Sequence, residues 1–189
     1  MSRGMPEDGL NLQPELNGET LFLRPLKADD FDGLYAAGSD PAVWAGHPAK
    51  ERYKPEIFRQ YFDALLASRS TLVFIDRATG RLIGCSRYYV APDQPQAVSI
   101  GFTFLNNAYW GGATNFEIKR LMLDHAFNSV DDVWFHIDPT NIRSQKATAK
   151  LGAVHAYDAV LDISGSPVNW MCFRLTRDAW DRVKAALGH

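Results

Sequence analysis

The chain reads as a mixed α/β domain built on a largely antiparallel sheet, and three observations predict it. Between residues 71 and 105, three segments of period two are separated only by short turns, so they form antiparallel neighbours. A turn with adjacent Gly111 and Gly112 then opens onto a segment whose apolar residues recur three and four apart, and a short apolar strand follows it. Strand, helix and strand in that order imply one parallel pair. The 189 residues, 46% of them hydrophobic, suffice for one sizeable core, and their number demands no second domain.

Taken in order, residues 1–18 are rich in Pro, Gly, Asn and acids without a sustained period and are expected to be a flexible segment preceding one domain over 19–189. Thr20 to Arg24 alternates as a first strand, and Pro25 discourages its extension. Ala28 to Ala37 carries acids in its first turn and Phe31, Leu34 and Tyr35 at helical spacing, with Gly38 as a stop. Pro55 suits the start of a second helix, Glu56 to Ser68, whose stripe is Ile57, Phe58, Tyr61, Phe62, Leu65 and Leu66. Thr71 to Asp76 and Leu82 to Val90 form a hairpin, and Ala97 to Leu105 adds a strand with Gly101 in its middle, where a bulge or a close approach is expected. The helix after Gly112 is set by Ile118, Leu121, Met122, His125 and Ala126, and the strand Asp132 to Ile137 follows. A helix over Asn141 to Leu151, capped by Thr140 or Asn141, leads to strands Ala153 to Val160 and Val168 to Leu175 and a closing helix, Thr176 to Leu187. That makes about seven strands.

Charge and composition exclude several classes of function. Twenty basic and 22 acidic residues give a net charge of −2 with no basic run, so nucleic acid is not an expected partner. No apolar stretch has the length of a signal peptide or a membrane span, so a cytoplasmic protein with no membrane partner is expected. Cys85 and Cys172 are far apart inside strands and are expected as buried, reduced thiols. No His, Cys or Asp group shows metal-ligand spacing.

The glycine turn is the chemical centre. Backbone N–H groups at a helix start, with the positive end of the dipole, hold phosphate without a basic side chain. Two stretches then resemble the Gcn5-related N-acetyltransferases, and particularly their RimL/RimJ-like branch. Tyr109 to Phe127 (YWGGATNFEIKRLMLDHAF) is similar to the family's pyrophosphate loop and helix, with Trp110, Gly111 and Glu117 in matching places. Asn141 to Ala153 (NIRSQKATAKLGA) matches the segment after the family's fifth strand and is the more specific stretch. The resemblance covers roughly Glu19 to Leu175. Departures are plain: Trp110, Ala113 and Asn115 stand where the family loop has Gln or Arg, Gly, and Gly or Ala, and Ser99 stands where many members carry a catalytic Glu.

The resemblance implies the family's fold, with a splayed parallel pair and helices on both sheet faces, and acetyl transfer from acetyl-CoA to a primary amine by direct attack in a ternary complex. The alternative is a non-catalytic acyl-CoA-binding or sensor protein, its base lost at Ser99. By the same resemblance, N–H groups of Trp110, Gly111, Gly112, Ala113, Thr114 and Asn115 hold the pyrophosphate, and Phe102, Thr103, Phe104 and Leu105 pair with the pantetheine amides. Asn141 contacts the pantetheine arm or simply caps its helix, and Lys146 reaches the adenosine phosphates or lies solvated. Ser144 matches the serine that donates to the departing thiolate in RimL-like enzymes.

For the base, an amine with a pKa near roughly 8 to 10.4 must lose a proton before it attacks. His47, in an early loop, and His136, on the fifth predicted strand, are the candidates, His136 being equally readable as a packed histidine. Trp44, His47, Arg87 and Tyr89 are expected at the acceptor, which is a small-molecule or peptide amine, with Trp44 equally readable as covering the core and His47 as exposed. A monomer or homodimer is expected.

Overall fold

The structure is a computed structural model, which describes residues 9–189. Eight strands form one mixed sheet in the order β1-β2-β3-β4-β5-β6-β8-β7. They are β1 (Leu16–Asn17), β2 (Leu21–Pro25), β3 (Thr71–Asp76), β4 (Leu82–Tyr89), β5 (Val98–Leu105), β6 (Asp132–Ile137), β7 (Val154–Asp162) and β8 (Pro167–Thr176). Five helices accompany them: α1 (Phe31–Gly38), α2 (Pro55–Ser68), α3 (Thr114–Phe127), α4 (Ile142–Lys150) and α5 (Arg177–Ala186). The parallel pair is present, β5 with β6, in register at Val98 with Val133 and Ser99 with Trp134. No described helix is long and apolar enough to cross a membrane.

The strand beyond the expected seven is β1, in the segment expected to be flexible. Residues 1–8 lie outside the described residues, but Leu16 and Asn17 pair antiparallel with Leu23 and Phe22. Two residues are too few to show a period, and pairing alone defines this strand. The described chain also divides into two compact units, one of Asn11–Tyr88 and Phe102–Asp124, the other of Tyr89–Gly101 and His125–His189 together with Gly9 and Leu10. The division runs through β5 and α3 rather than through a linker, so composition gives no sign of it.

In the unit of Asn11–Tyr88 and Phe102–Asp124, the apolar stripe of α2 buries Phe58, Phe62 and Leu65 with Leu34 of α1, Val73 of β3, and Trp44 and Phe104. Gly84 permits this packing of β4 beside β5, since a Cβ there would lie 2.2 Å from the Phe104 carbonyl oxygen. Arg24 and Asp30 form a two-pronged ion pair at 2.8 Å on each prong, and Asp30 also accepts from the Lys27 N–H. Burial would raise the Asp30 pKa, but these donors outweigh it and hold the carboxyl below its ordinary value.

Glu117 of α3 fastens that helix to the start of β2. Its carboxylate accepts from the Thr20 N–H at 2.8 Å, the Leu21 N–H at 3.3 Å and the Thr20 hydroxyl. Burial again works against the charge, and the hydrogen bonds from Thr20 and Leu21 overcome it, so the pKa is lowered. In the other unit, β8 lies between β6 and β7, pairing antiparallel with both, and α5 follows with the Thr176 hydroxyl accepting from the Ala179 N–H at its start.

Glu117→Ala is expected to lower stability by about 2 kcal/mol at neutral pH in urea unfolding, because it leaves the Thr20 and Leu21 donors without their charged acceptor. A carboxyl with a depressed folded pKa stabilises above its unfolded pKa and ceases to do so as pH falls through the folded one. The gap between wild type and variant should therefore close below about pH 4. A gap independent of pH would assign the loss to packing instead.

Candidate active site

The glycine turn stands where the sequence places it. Asn106 caps a short 3₁₀ turn over Asn107–Tyr109, and the Trp110 indole N–H donates to the Leu105 carbonyl at 2.9 Å. The Tyr109 hydroxyl donates to Asp76 at 2.6 Å, which ties the turn to the end of β3. Gly111 has φ of +77°, a left-handed conformation that a side chain would strain, whereas Gly112 does not. A Cβ at either glycine would meet nothing within 4 Å, so the turn has open space on that side. Gly111, Gly112 and Ala113 are exposed and Thr114 and Asn115 half-exposed, at the start of the 14-residue α3, where the first N–H groups have no partner within the helix. These features fit the pyrophosphate of a nucleotide-bearing donor. Further along α3, Lys119 is buried, and loss of hydration brings its pKa down to about 8.

The predicted irregularity of β5 falls one residue after Gly101. Phe102 has φ of +53°, one of two non-glycine residues with positive φ among those described. Its carbonyl accepts from the Tyr61 hydroxyl at 2.6 Å, and the Arg87 guanidinium lies 4.8 Å from its ring centroid. That carbonyl is engaged, as is the Leu105 carbonyl by the Trp110 indole, so two carbonyls of the expected pantetheine-pairing segment already have partners. Arg87 also donates to the Ser70 hydroxyl at 3.1 Å.

The acceptor-side expectations meet different fates. Trp44 is 1% exposed, its indole N–H donating to the Gly38 carbonyl at 2.8 Å, so it is a core side chain rather than a site wall. The loop around it is fixed by the Asp40 cap and by Arg52, whose guanidinium stands 4.1 Å over the Tyr61 ring. His47 is half-buried beside Trp44, and its Nδ1 accepts from the Ala49 N–H at 2.9 Å. In the neutral ring the proton then sits on Nε2, so no basic nitrogen of His47 is offered outward while that bond holds.

On α4, Asn141 is the N-cap and its Oδ1 accepts from the Ser144 N–H at 3.2 Å. Ser144 therefore lies in the first helical turn, half-buried, and Lys146 is exposed. Asp138 is a turn residue whose carboxylate accepts from the Thr140 N–H and hydroxyl.

Ser99, in the place of the family's Glu, is completely buried, and its hydroxyl is the buried side-chain polar atom without a hydrogen-bond partner among the described residues. Such a group costs about 1–3 kcal/mol, so Ser99→Ala is expected to leave stability unchanged or raise it by about 1 kcal/mol, with no effect on turnover. A fall in rate at unchanged stability would give Ser99 a chemical role.

His136 brings together residues that the sequence did not associate. Both ring nitrogens are engaged, Nδ1 with the Tyr89 hydroxyl at 2.8 Å and Nε2 with the two Asp93 carboxylate oxygens at 3.1 Å each. Asp93 accepts also from the Tyr157 hydroxyl at 2.6 Å, which accepts in turn from the Gln94 amide at 2.9 Å. Burial would raise the Asp93 pKa, but the bonds from Tyr157 and His136 hold it down. Asp93, His136 and Cys172 have side-chain donor atoms within 4.8 Å of one another. Burial, then the nearby Asp93 charge, pushes the Cys172 thiol up to about 12, so the free thiol stays protonated. Both cysteines are free and buried, as expected.

The geometry so far describes a phosphate-ready helix start, an interrupted strand and a capped helix carrying a serine. Residues 20–154, well over half of the chain, match the acetyltransferase (GNAT) domain family. The chain belongs to that family and is an N-acetyltransferase, with acetyl-CoA as acyl donor. Its fold is also that of a GCN5-related N-acetyltransferase from Brucella melitensis, at 18% identity over 99% of this chain and 87% of that one, with a TM-score of 0.78. It is similar to an acetyltransferase structure from T. thermophilus, at 26% identity over 92% and 95% with a TM-score of 0.69. Mycobacterium smegmatis RimJ in complex with CoA-disulfide shares the fold at 16% identity over 93% and 94%, with a TM-score of 0.62. Among curated protein sequences, none matches.

Proposed function

We propose that the protein transfers the acetyl group of acetyl-CoA to a primary amine by direct attack in a ternary complex. The observation that carries this reading is the open glycine turn at the start of α3, in a chain that belongs to an acetyltransferase family. N–H groups of residues 110–115 hold the pyrophosphate, and backbone groups of residues 102–105 pair with the pantetheine amides. Asn141 both caps α4 and faces the pantetheine arm, and Lys146 adds charge near the adenosine phosphates. The amine nitrogen bonds to the thioester carbon, the C–S bond breaks, and the Ser144 hydroxyl donates a hydrogen bond to the departing sulfur. His47 and Arg87 line the acceptor side rather than supply the base, since the Nδ1 lone pair of His47 is occupied. The acceptor is a small amine or a peptide N-terminus.

The direct test is thiol release from acetyl-CoA across a panel of a peptide with a free N-terminal serine, spermidine and kanamycin, with CoA binding measured by calorimetry. Amine-dependent release is expected from at least one. Tight CoA binding without it would favour an acyl-CoA-binding module.

Gly112→Asp should weaken CoA by about tenfold, ~1.4 kcal/mol, through charge beside the pyrophosphate. The position tolerates a Cβ, so the fold should persist and a loss of affinity would report the ligand. Equal affinity would move the phosphates elsewhere. Ser144→Ala should lower kcat by about tenfold or more and leave CoA affinity unchanged, and an unaltered kcat would reject the donor role.

A further inference from the structure

We infer that Asp93, His136 and Cys172 form a binding site for a divalent transition-metal ion, zinc by the character of the donors. The site lies beyond acetyl transfer and does not depend on it. Its ligands, and Tyr89, Gln94 and Tyr157 around them, all belong to the same compact unit. Sequence spacing carries no metal signal because the ligands come one each from the loop between β4 and β5, from β6 and from β8, and only the folded sheet assembles them.

The register of the sheet does so. Cys172, in the middle of β8, pairs with His136 of β6 on one side and with Tyr157 of β7 on the other, so the three side chains share a row and a face. Pairing of β7 shifts between His155 and Tyr157, which skips Ala156 and puts Tyr157 in that row. Asp93 reaches the row from its loop, its carboxylate 3.1 Å from His136 Nε2 and accepting from the Tyr157 hydroxyl at 2.6 Å.

Distances and donor chemistry agree on the ion. One donor atom from each of the three residues lies within 4.8 Å of the other two. Zinc binds nitrogen and oxygen at about 2.0–2.2 Å and sulfur at about 2.3 Å, which sets its ligand atoms about 3.3–3.8 Å apart in a tetrahedron. The separation of His136 Nε2 from Asp93 Oδ1, 3.1 Å, is close to that edge. A contraction of no more than about 1.5 Å brings the sulfur to it. Sulfur and imidazole suit zinc, whereas magnesium and calcium take oxygen ligands. The two charges of the ion are matched by one thiolate and one carboxylate, so no net charge is buried. On binding, the S–H bond of Cys172 breaks, its proton leaves to solvent and a sulfur–metal bond forms, with no change of oxidation state. The bond replaces the weak donation of the thiol to the Trp170 carbonyl at 3.8 Å.

The surrounding groups hold the ligands in place. His136 Nδ1 meets the Tyr89 hydroxyl at 2.8 Å, so with a metal on Nε2 the ring hydrogen sits on Nδ1 and donates to Tyr89. Asp93 Oδ2 keeps the bond from Tyr157, whose oxygen accepts from the Gln94 amide at 2.9 Å, and Oδ1 is the oxygen for the metal. The His136 side chain has no exposure and that of Asp93 has 9%, so an ion enters past the β4–β5 loop. Three protein ligands leave one position of the tetrahedron for water. Once bound, the ion ties that loop to β6 and β8.

The test uses the full untagged chain, stripped with a chelator and titrated with zinc sulfate by calorimetry, with magnesium chloride as control. One zinc per chain and no magnesium are expected, and zinc at about a hundredfold over its Kd should raise Tm by about 5 °C or more. Cobalt(II) in its place should give a thiolate-to-metal charge-transfer band in the near ultraviolet. Cys172→Ala and Asp93→Asn should lose zinc or bind it at least about a hundredfold more weakly, and Tyr157→Phe about tenfold more weakly. His155→Ala, which removes the exposed His155–Asp158 pair, should bind as the wild type does. Absence of zinc binding by the folded wild type overturns the site, as does a cobalt form without the thiolate band, which needs no variant to fold. Zinc retained in full by Cys172→Ala and Asp93→Asn, or lost in His155→Ala, also overturns it. None of these outcomes bears on acetyl transfer, which the amine panel decides.

Discussion

One residue in β5 sets the terms for one of the compact units. Phe102 holds a left-handed backbone without being glycine, a conformation that costs about 1–2 kcal/mol and persists only when its surroundings enforce it. They do: Tyr61 donates to its carbonyl, Arg87 covers its ring, and Gly84 leaves room for the Phe104 carbonyl that follows. Burial of the Tyr61 phenol raises its pKa well above the ordinary value, so the donor is protonated at any pH of interest. Much of the aromatic cluster around Trp44, Phe58 and Phe104 reads as the support for this break in the strand. A strand that departs from regular pairing has backbone groups to offer a ligand.

The other unit solves a different problem, how to keep a buried histidine polar and oriented. His136 has a bond at each nitrogen, and Asp93 compensates its own burial through Tyr157. A histidine satisfied in this way is packed and hydrogen-bonded, which is one of the two readings its strand position offers.

The sequence makes the framework legible where pattern and punctuation agree. Thr71–Asp76 and Asp132–Ile137 fall where alternation and flanking turns place them, and α2 starts at Pro55 because proline is suited to that position. Gly111 and Gly112 announce the turn before α3, and Asn141 announces the start of α4. The hydrogen-bonded cluster around Asp93 is not legible. Asp93 and Tyr157 are 64 residues apart, and their meeting depends on a register shift at Ala156 that no local signal marks. Trp44 is equally readable as site or core from sequence, because its burial is decided by Tyr61 and Phe104, which come from elsewhere in the chain. His47 reads as a base in the sequence, and the Ala49 N–H that claims its Nδ1 shows only in the folded loop.

Family membership gives the reaction, and the arrangement of this chain's own residues gives the account of how it is done. The most direct measurement of that account is a crystal structure of the protein with coenzyme A. It should place pyrophosphate oxygens within hydrogen-bonding distance of the N–H groups between Gly111 and Asn115 and the sulfur near Ser144. Phosphates bound away from the start of α3, or a sulfur remote from Ser144, would contradict it.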